Sequence, residues 1–213
     1  NLGGILQDQG KLQEAEIYAR KAIELNPYFA EAHSNLGGIL NDFEKLKEAE
    51  MHTRKAIELN SKFANAYSNL GSIARKLDKL QEAEFYTRKA IELNPNFAEA
   101  YSNLGGILRE LDKLKEAEMH TRKAIELNPT FANAYSNLGI ILYELGILKE
   151  AEMYTRKAIE LNPNFAKAYY SLSKIEQLTS TKNWEEYLFT NDILDNQKDI
   201  DKIDIYFARA NIL

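Results

Sequence analysis

The 213-residue sequence contains no cysteine, and this absence excludes several kinds of functional site. Without cysteine there is no disulfide framework, no thiolate nucleophile and no cysteine-ligated zinc. Only three histidines are present, so few other metal ligands remain. No catalytic motif stands out, and we expect neither an enzyme nor a bound metal or other cofactor.

An excess of positive charge and long apolar runs are missing as well. Lys and Arg number 27 against 32 Asp and Glu, which gives a formal net charge of −5. Binding to a phosphate backbone requires positive surface charge, so nucleic acid is not an expected partner. No apolar run approaches the roughly 20 residues that span a membrane, and no signal peptide is recognisable. The sequence therefore predicts a cytoplasmic chain with no membrane partner.

Proline is scarce, and its four positions share one place in an internal repeat. They are Pro27, Pro95, Pro129 and Pro163. The motif Asn-Leu-Gly recurs every 34 residues, and the period divides the chain into units 1–29, 30–63, 64–97, 98–131 and 132–165, followed by a divergent remainder, 166–213. Because proline cannot continue a helix, it ends each unit. Ser61 replaces it in unit 30–63, where we expect a less sharp end.

Each unit contains two stretches in which apolar residues recur three and four positions apart, which predicts two amphipathic helices. In unit 30–63, Leu36 and Leu40 belong to the first, helix A, while Ala49 and Ala56 belong to the second, helix B. Glycine inside a helix costs about 1 kcal/mol relative to alanine, so Gly37 indicates a close approach of two helices. One hairpin has too little core to fold alone, and neighbouring units must therefore stack.

The 34-residue period, together with Gly37, Ala49, Ala56 and the prolines between units, resembles the tetratricopeptide repeat (TPR) family. The resemblance covers residues 1–165 and implies an all-α fold, a right-handed superhelical TPR solenoid of antiparallel helix hairpins. It also implies that the A helices line a concave groove that holds peptides or partner proteins. One helix B position that is usually aromatic in the family is here threonine, as at Thr53, which we expect to thin the packing of helix B.

An asparagine occupies the sixth position of every regular helix A, which faces the groove in the family. These residues are Asn1, Asn35, Asn69, Asn103 and Asn137. A carboxamide pairs with a peptide carbonyl and a peptide N–H at once, and the row resembles the asparagine ladder in the TPR region of O-linked N-acetylglucosamine transferase. The resemblance implies that the ladder grips an extended peptide by its backbone. The alternative is that near-identical repeats copy every position, functional or not.

Other groove positions vary from unit to unit. Arg75, Lys76 and Arg109 form a basic spot in the middle of the array, which would favour a carboxylate or phosphate on the ligand. The alternative is ordinary solvated helix charge. On helix B, Glu50 and Arg54 are four residues apart and are predicted to form an ion pair on a neutralised outer surface.

The three histidines are predicted to be structural. His33 aligns with tyrosines in the later units, which indicates a packing residue at an interface. His52 and His120 are equivalent positions two units apart, roughly 20 Å at ordinary helix spacing. They cannot share a metal ion, whose ligands lie about 2 Å away.

The remainder, 166–213, keeps the helix A pattern at first and then diverges. Ser171 takes the ladder position, Trp184 falls in a short predicted helix where it plugs an irregular core, and 199–213 align with another helix A whose partner helix is missing. Several apolar residues of that last helix leave unpaired surface: Ile205, Tyr206, Phe207, Ile212 and Leu213. We expect that the natural protein continues here, or that this helix pairs with another molecule. The first residue, Asn1, is also consistent with a piece of a longer protein.

Three functions follow from these observations. The leading prediction is a protein–protein interaction module that binds an extended peptide or partner segment in the concave groove, through Asn35, Asn69, Asn103 and Asn137 with selectivity from Arg75 and Arg109. The alternative is the substrate-recruiting arm of a larger bacterial glycosyl- or sulfotransferase. Self-association through the open ends of the array is a third prediction.

Overall fold

The computed structural model describes residues 12–179 and 199–212, and within these ranges every regular element is an α-helix. The helices, in chain order, are α1 (Leu12–Leu25), α2 (Ala30–Asp42), α3 (Leu46–Leu59), α4 (Ala64–Lys76), α5 (Leu80–Leu93), α6 (Ala98–Glu110), α7 (Leu114–Leu127), α8 (Ala132–Glu144), α9 (Leu148–Leu161), α10 (Ala166–Thr179) and α11 (Asp199–Ile212). Helices α2, α4, α6, α8 and α10 are A helices, and α1, α3, α5, α7 and α9 are B helices. Asn1 and Trp184 lie outside the described residues.

All B helices end in the same way, whether or not a proline follows. Helix α3 ends at Leu59, and the Asn60 side-chain oxygen accepts a hydrogen bond from the Lys62 N–H at 3.1 Å. The same bond to the residue two positions on recurs at Asn26, Asn94, Asn128 and Asn162. Asparagine side chains stabilise turns in this way. The expectation of a less sharp end at Ser61 was therefore wrong, because the asparagine sets the turn.

The turn from helix A to helix B requires a residue with positive φ. Glu44, Asp78 and Asp112 occupy it with φ of 58°, 59° and 59°, and Gly146 occupies it with φ of 77°. Glycine adopts this left-handed conformation freely, whereas residues with a Cβ are strained there. Three of these four turns consequently store a small amount of backbone strain.

Helices A and B of one hairpin meet where a glycine faces a threonine. Thr53 of α3 is fully buried, and a Cβ placed on Gly37 of α2 would overlap its Oγ1. Gly71 has the same relation to Thr87, and Gly139 to Thr155. The hydroxyls of Thr87 and Thr155 donate to the carbonyl four residues earlier at 2.8 Å. The threonines therefore fill the space that the glycines leave, and the expectation that they thin the packing of helix B was wrong.

The first of two compact units spans residues 1–107 and contains α1 to α5 with most of α6. Its core is centred on helix A of the hairpin α2–α3, where Leu36 and Leu40 are fully buried. They pack with small residues of the flanking B helices, such as Ala15 and Ala49, and with Ile73 of α4. Small B-helix residues thus let the large side chains of helix A form one continuous apolar layer, as stacked repeats require.

The second unit, residues 108–213, contains the hairpin α8–α9 and ends in an irregular pair. Helix α11 packs directly on α10, because Ile205 and Ala208 are buried against Tyr169 and Leu172. Asn211 also donates to Ser173 Oγ at 3.0 Å. Tyr169 and Ser173 correspond to His33 and Gly37, which face helix B in the first unit. Helix α11 therefore covers the face that a helix B covers elsewhere, which corrects the expectation of another helix A.

Candidate functional site

The ladder asparagines of the described helices are half-buried, not fully exposed: Asn35, Asn69, Asn103 and Asn137. Asn69 shows what holds such a residue in place. Its Nδ2 donates to the Ser34 carbonyl of the preceding helix A at 3.0 Å and lies 3.3 Å from the Ser34 hydroxyl oxygen. Ser34 is almost completely buried. This link between successive A helices was missed from the sequence, although the serine one residue before each asparagine was a signal for it.

The contact with Ser34 determines the orientation of the Asn69 carboxamide. A carbonyl oxygen only accepts hydrogen bonds, so the NH₂ group must face Ser34 and Oδ1 must point the other way. Because Nδ2 donates to both the carbonyl and the hydroxyl of Ser34, the NH₂ group is engaged within the protein. The acceptor oxygen Oδ1 is the group that a peptide N–H would use.

The residues of the predicted basic spot are engaged in contacts within the protein. Lys76 Nζ donates to the Asn41 carbonyl and to Glu44 Oε1, each at 2.8 Å. In the second unit, Arg109 Nη1 donates to Glu144 Oε1 at 3.1 Å. An anionic ligand would have to compete with these carboxylates. The contacts of Lys76 and Arg109 therefore agree with the alternative of ordinary helix charge.

Arg75 is placed by a glycine of the next helix A. Its guanidinium group lies over Gly106, where a Cβ would be 3.0 Å from Nη1. Gly106 occupies the ninth position of its unit, and its lack of a side chain gives the half-buried guanidinium room. Arg75 thus packs flat along the A-helix face of the first unit.

An open cavity of about 280 Å³ lies on the A-helix face of the second unit. Tyr143 of α8 and Tyr170 of α10 line it together with Ser171, the residue at the ladder position. Ile140 and Ile175 add apolar surface. This cavity was not predicted from the sequence, because its walls combine side chains of three A helices with Asp204 of α11.

The walls of this cavity combine aromatic rings with charges of both signs. The Lys174 ammonium lies 4.3 Å from the centroid of the Tyr170 ring, within the range of a cation–π contact. The Phe207 ring is 6.0 Å from that of Tyr170. Acidic Glu144 and Asp204 also line the cavity. The lining therefore combines apolar surface with polar and charged groups at the rim, the composition typical of ligand pockets.

A pair of imidazoles joins helices α2 and α3 in the first unit. Nδ1 of His33 is 3.0 Å from Nδ1 of His52, and Nε2 of His33 is 3.1 Å from the Pro27 carbonyl oxygen. Because that carbonyl only accepts, Nε2 of His33 carries a proton, and the two Nδ1 atoms share a second hydrogen bond. Burial, and then the charge of His33, lower the pKa of His52, with Glu48 raising it and Arg20 lowering it. The prediction that His33 is an interfacial packing residue is confirmed.

The outer side of the B helices carries a regular set of ion pairs. The predicted pair of Arg54 and Glu50 is present at 2.7 Å, and Arg54 also donates to the Tyr86 hydroxyl of the next helix B at 3.2 Å. Arg122 makes the equivalent contacts in the second unit with Glu118 and the Tyr154 hydroxyl, and it also pairs with Glu150, each at 2.8 Å. Burial lowers the pKa of Arg122, but the hydrogen bonds to Glu150 and Glu118 raise it overall. These arginines therefore tie successive B helices together.

Residues 12–179 and 199–212 lack two kinds of feature. None of the helices there is both long enough and apolar enough to cross a membrane. The same residues contain no cluster of three or more His, Asp or Glu side chains arranged to hold a metal ion.

Comparison with known proteins identifies the class. Residues 64–97, 98–131 and 132–165 match a family model described as tetratricopeptide repeat, and residues 1–29 match a second model with that description. These segments make up more than half of the chain, so the chain belongs to the tetratricopeptide repeat family. Its fold is accordingly an all-α TPR solenoid of antiparallel helix pairs. The family generally serves as a non-catalytic module for protein–protein interaction.

Several solved structures resemble the chain. MamA is 28% identical with a TM-score of 0.59, covering 78% of this chain and 98% of its own. YrrB, described as a TPR protein with an unusual peptide-binding site, is 26% identical with a TM-score of 0.58, covering 90% and 97%. The Pseudomonas aeruginosa protein pilF is 20% identical with a TM-score of 0.73, covering 98% and 94%, and shows the fold alone. No curated protein matches the chain.

Proposed function

We propose that the chain binds an extended peptide segment of a partner protein along the exposed face of its A helices. The cavity beside Ser171 is the observation that carries this proposal, because it is an open, aromatic-lined recess on that face. The similarity to YrrB, whose description names a peptide-binding site, supports the same class of ligand. Asn35, Asn69, Asn103 and Asn137 are the proposed contacts to main chain.

The proposed contacts divide by the kind of group they recognise. The ladder carboxamides are uniform, so they suit the repeating N–H and C=O groups of any extended chain. Tyr143, Tyr170 and Lys174 are specific to the cavity and would select one bulky side chain of the ligand. Arg75 and Arg109 would act as secondary polar contacts, with Arg109 exchanging Glu144 for a ligand carboxylate.

Nothing in this arrangement calls for chemistry on the ligand. A binding face that positions main chain needs hydrogen-bonding groups and shape, whereas catalysis needs a nucleophile or a paired acid and base. A role as the substrate-recruiting arm of a larger bacterial transferase stays a prediction.

The proposal is tested by selecting ligands from a phage-displayed library of random 16-residue peptides. A selected peptide is then measured by fluorescence anisotropy against the wild type, Asn103→Ala, Tyr170→Ala and Lys157→Ala. Lys157 is the matched control because it lies on a B helix and pairs with Glu160 at 2.7 Å. We expect the first two variants to weaken binding at least about tenfold, a loss of about 1.4 kcal/mol, and the control to bind like the wild type. Equal binding by all four chains, each with intact helicity, would refute the proposal.

A further inference from the structure

Each regular helix B turns one large apolar side chain outward at the same register. In the first unit these side chains are 65%, 58% and 65% exposed and belong to Ile17, Met51 and Phe85, which together we call the B-face strip. The equivalent residues of the second unit, Met119 and Met153, are 58% and 55% exposed. Isolated exposed apolar residues are common on protein surfaces, but one per helix at a fixed register is a pattern.

Copying of repeats does not account for this pattern by itself. The position changes from Ile to Met to Phe along the first unit, whereas its neighbour two residues earlier is alanine in every unit. A solvent-exposed position that varies without constraint would also admit polar residues. The strip varies in shape and stays large and apolar, as a contact surface would.

Shallow depressions adjoin the strip in the first unit. One, of about 430 Å³, is bordered by Met51, His33 and His52. The next, of about 380 Å³, is bordered by Phe85 and floored by Tyr67 and Leu70. Arg54 and Glu58 border both depressions, so the two are neighbours. The surface therefore alternates projecting side chains with recesses of suitable size for them.

The charges around the strip alternate in sign. Lys55 pairs with Glu58 at 2.8 Å, and Lys89 pairs with Glu92 at 2.7 Å on the next helix B. A partner with a large charge of one sign would meet attraction and repulsion in equal measure. In an antiparallel two-fold contact, residue i of one copy faces residue j of the other, so a second copy whose axis runs between the two rows sets its glutamates opposite these lysines and its lysines opposite these glutamates. A second copy of this chain therefore presents a surface that is complementary in charge to the B-face strip.

We propose that the B-face strip is a self-association surface, on which a second copy of the chain docks antiparallel through its own strip. Phe85 of one copy enters a depression of the other, and the lysine–glutamate rows lie opposite each other. The A-helix face stays accessible in such a dimer, so the proposal is independent of peptide binding. Three exposed apolar side chains are few for a permanent interface, which generally buries about 800 Å² or more per partner. We therefore expect reversible association.

The test is sedimentation velocity on the full chain between about 1 and 200 μM. The wild type is expected to shift from monomer towards dimer with concentration, and Met51→Glu/Phe85→Glu is expected to remain monomeric. Both substituted side chains are exposed, so the variant should keep its helicity and unfolding midpoint. The matched control is Ile203→Glu/Tyr206→Glu on α11, where the side chains are 46% and 55% exposed. It should associate like the wild type.

Three results would overturn the proposal. A wild type that stays monomeric to 200 μM would exclude a second copy as the occupant. Unchanged association of Met51→Glu/Phe85→Glu, or loss of association in the α11 control alone, would place any contact at the ends of the array.

Geometry gives a second readout of the same proposal. Because the chain has no native cysteine, Lys55→Cys carries a single spin label next to the strip, and Glu31→Cys carries one on the A-helix side as its control. Pulsed dipolar spectroscopy on the associated chain should give a short inter-copy distance at 55 and a longer one at 31. The reverse order would contradict strip-to-strip docking.

Discussion

The close contact between Gly71 of α4 and Thr87 of α5 gives a quantitative test of how the hairpins are held together. A Cβ on Gly71 would overlap Thr87 Oγ1 and lie 3.2 Å from the Ala83 carbonyl oxygen. Thr87 is fully buried and bonded to that carbonyl, so it cannot move aside freely. Gly71→Ala therefore has to push the two helices apart.

The expected magnitude follows from two opposing effects. Overpacking a core costs about 1–3 kcal/mol, while replacing glycine by alanine inside a helix gains about 1 kcal/mol. We expect a net loss of up to about 2 kcal/mol in the free energy of unfolding for Gly71→Ala. In Gly71→Ala/Thr87→Ala the new methyl group occupies the space that the threonine vacates. The double variant should therefore be no less stable than either single variant, with a favourable coupling energy of about 1–2 kcal/mol.

The assay is urea unfolding followed by circular dichroism, with hydrogen exchange in α4 and α5 to locate the effect. Gly106→Ala is the matched control within the same unit. Its Cβ would meet only the flexible end of Arg75, so the helix-propensity gain should leave it at least as stable as the wild type. The close contact of Gly71 with Thr87 would be refuted as the cause if the losses of Gly71→Ala and Thr87→Ala simply added in the double variant. A loss for Gly106→Ala as large as that for Gly71→Ala would refute it as well.

Three further predictions follow from single contacts. The folded chain holds the pKa of His52 below its ordinary value. The contribution of neutral His52 to the free energy of unfolding is therefore complete above about pH 6.5 and falls as the pH drops below that value. His33→Tyr/His52→Tyr, which copies the Tyr135–Tyr154 pair, should reduce the loss of stability measured between pH 8 and pH 5. Asp78→Gly should raise the free energy of unfolding by about 0.5–1 kcal/mol, since its φ of 59° suits glycine, and a decrease in urea midpoint would contradict this. Asn69→Ala should cost about 1 kcal/mol because it removes the hydrogen bond that Asn69 donates to the Ser34 carbonyl, whereas Lys89→Ala, at an exposed ion pair, should change the free energy of unfolding by less than about 0.5 kcal/mol.

The repeat period determined most of the fold in advance. Helix boundaries, the buried layer of Leu36 and its equivalents, and the close approach at Gly37 all follow from spacing, because each repeat must bury the same stripe against its neighbours. The role of Thr53 was misread because a comparison with the usual family residue says nothing about the glycine it faces. A position has to be read together with its partner on the other helix.

The candidate site was predictable only in part, because its contacts join different repeats. The sixth-position asparagines were recognised as a row, but the bond from Asn69 to Ser34 links residues 35 positions apart and has no pattern within one unit. The cavity at Tyr170 is built from side chains of three successive A helices with Asp204 of α11, and no pattern within one unit predicts how these side chains meet. Outward-facing residues such as Met51 were visible in the sequence but not distinguishable from core residues until their burial was known.

The central claim, that the A-helix face binds an extended main chain, is tested most directly by NMR of the uniformly ¹⁵N-labelled chain with a selected peptide. The side-chain NH₂ signals of Asn35, Asn69, Asn103 and Asn137 report on the ladder itself. If the A-helix face binds main chain, these signals shift and saturate together with the backbone signals of Tyr170 and Lys174, while the signals of Lys55 and Lys89 on the B helices stay unchanged. Saturable shifts confined to the B helices, with all four carboxamide signals unmoved, would contradict it.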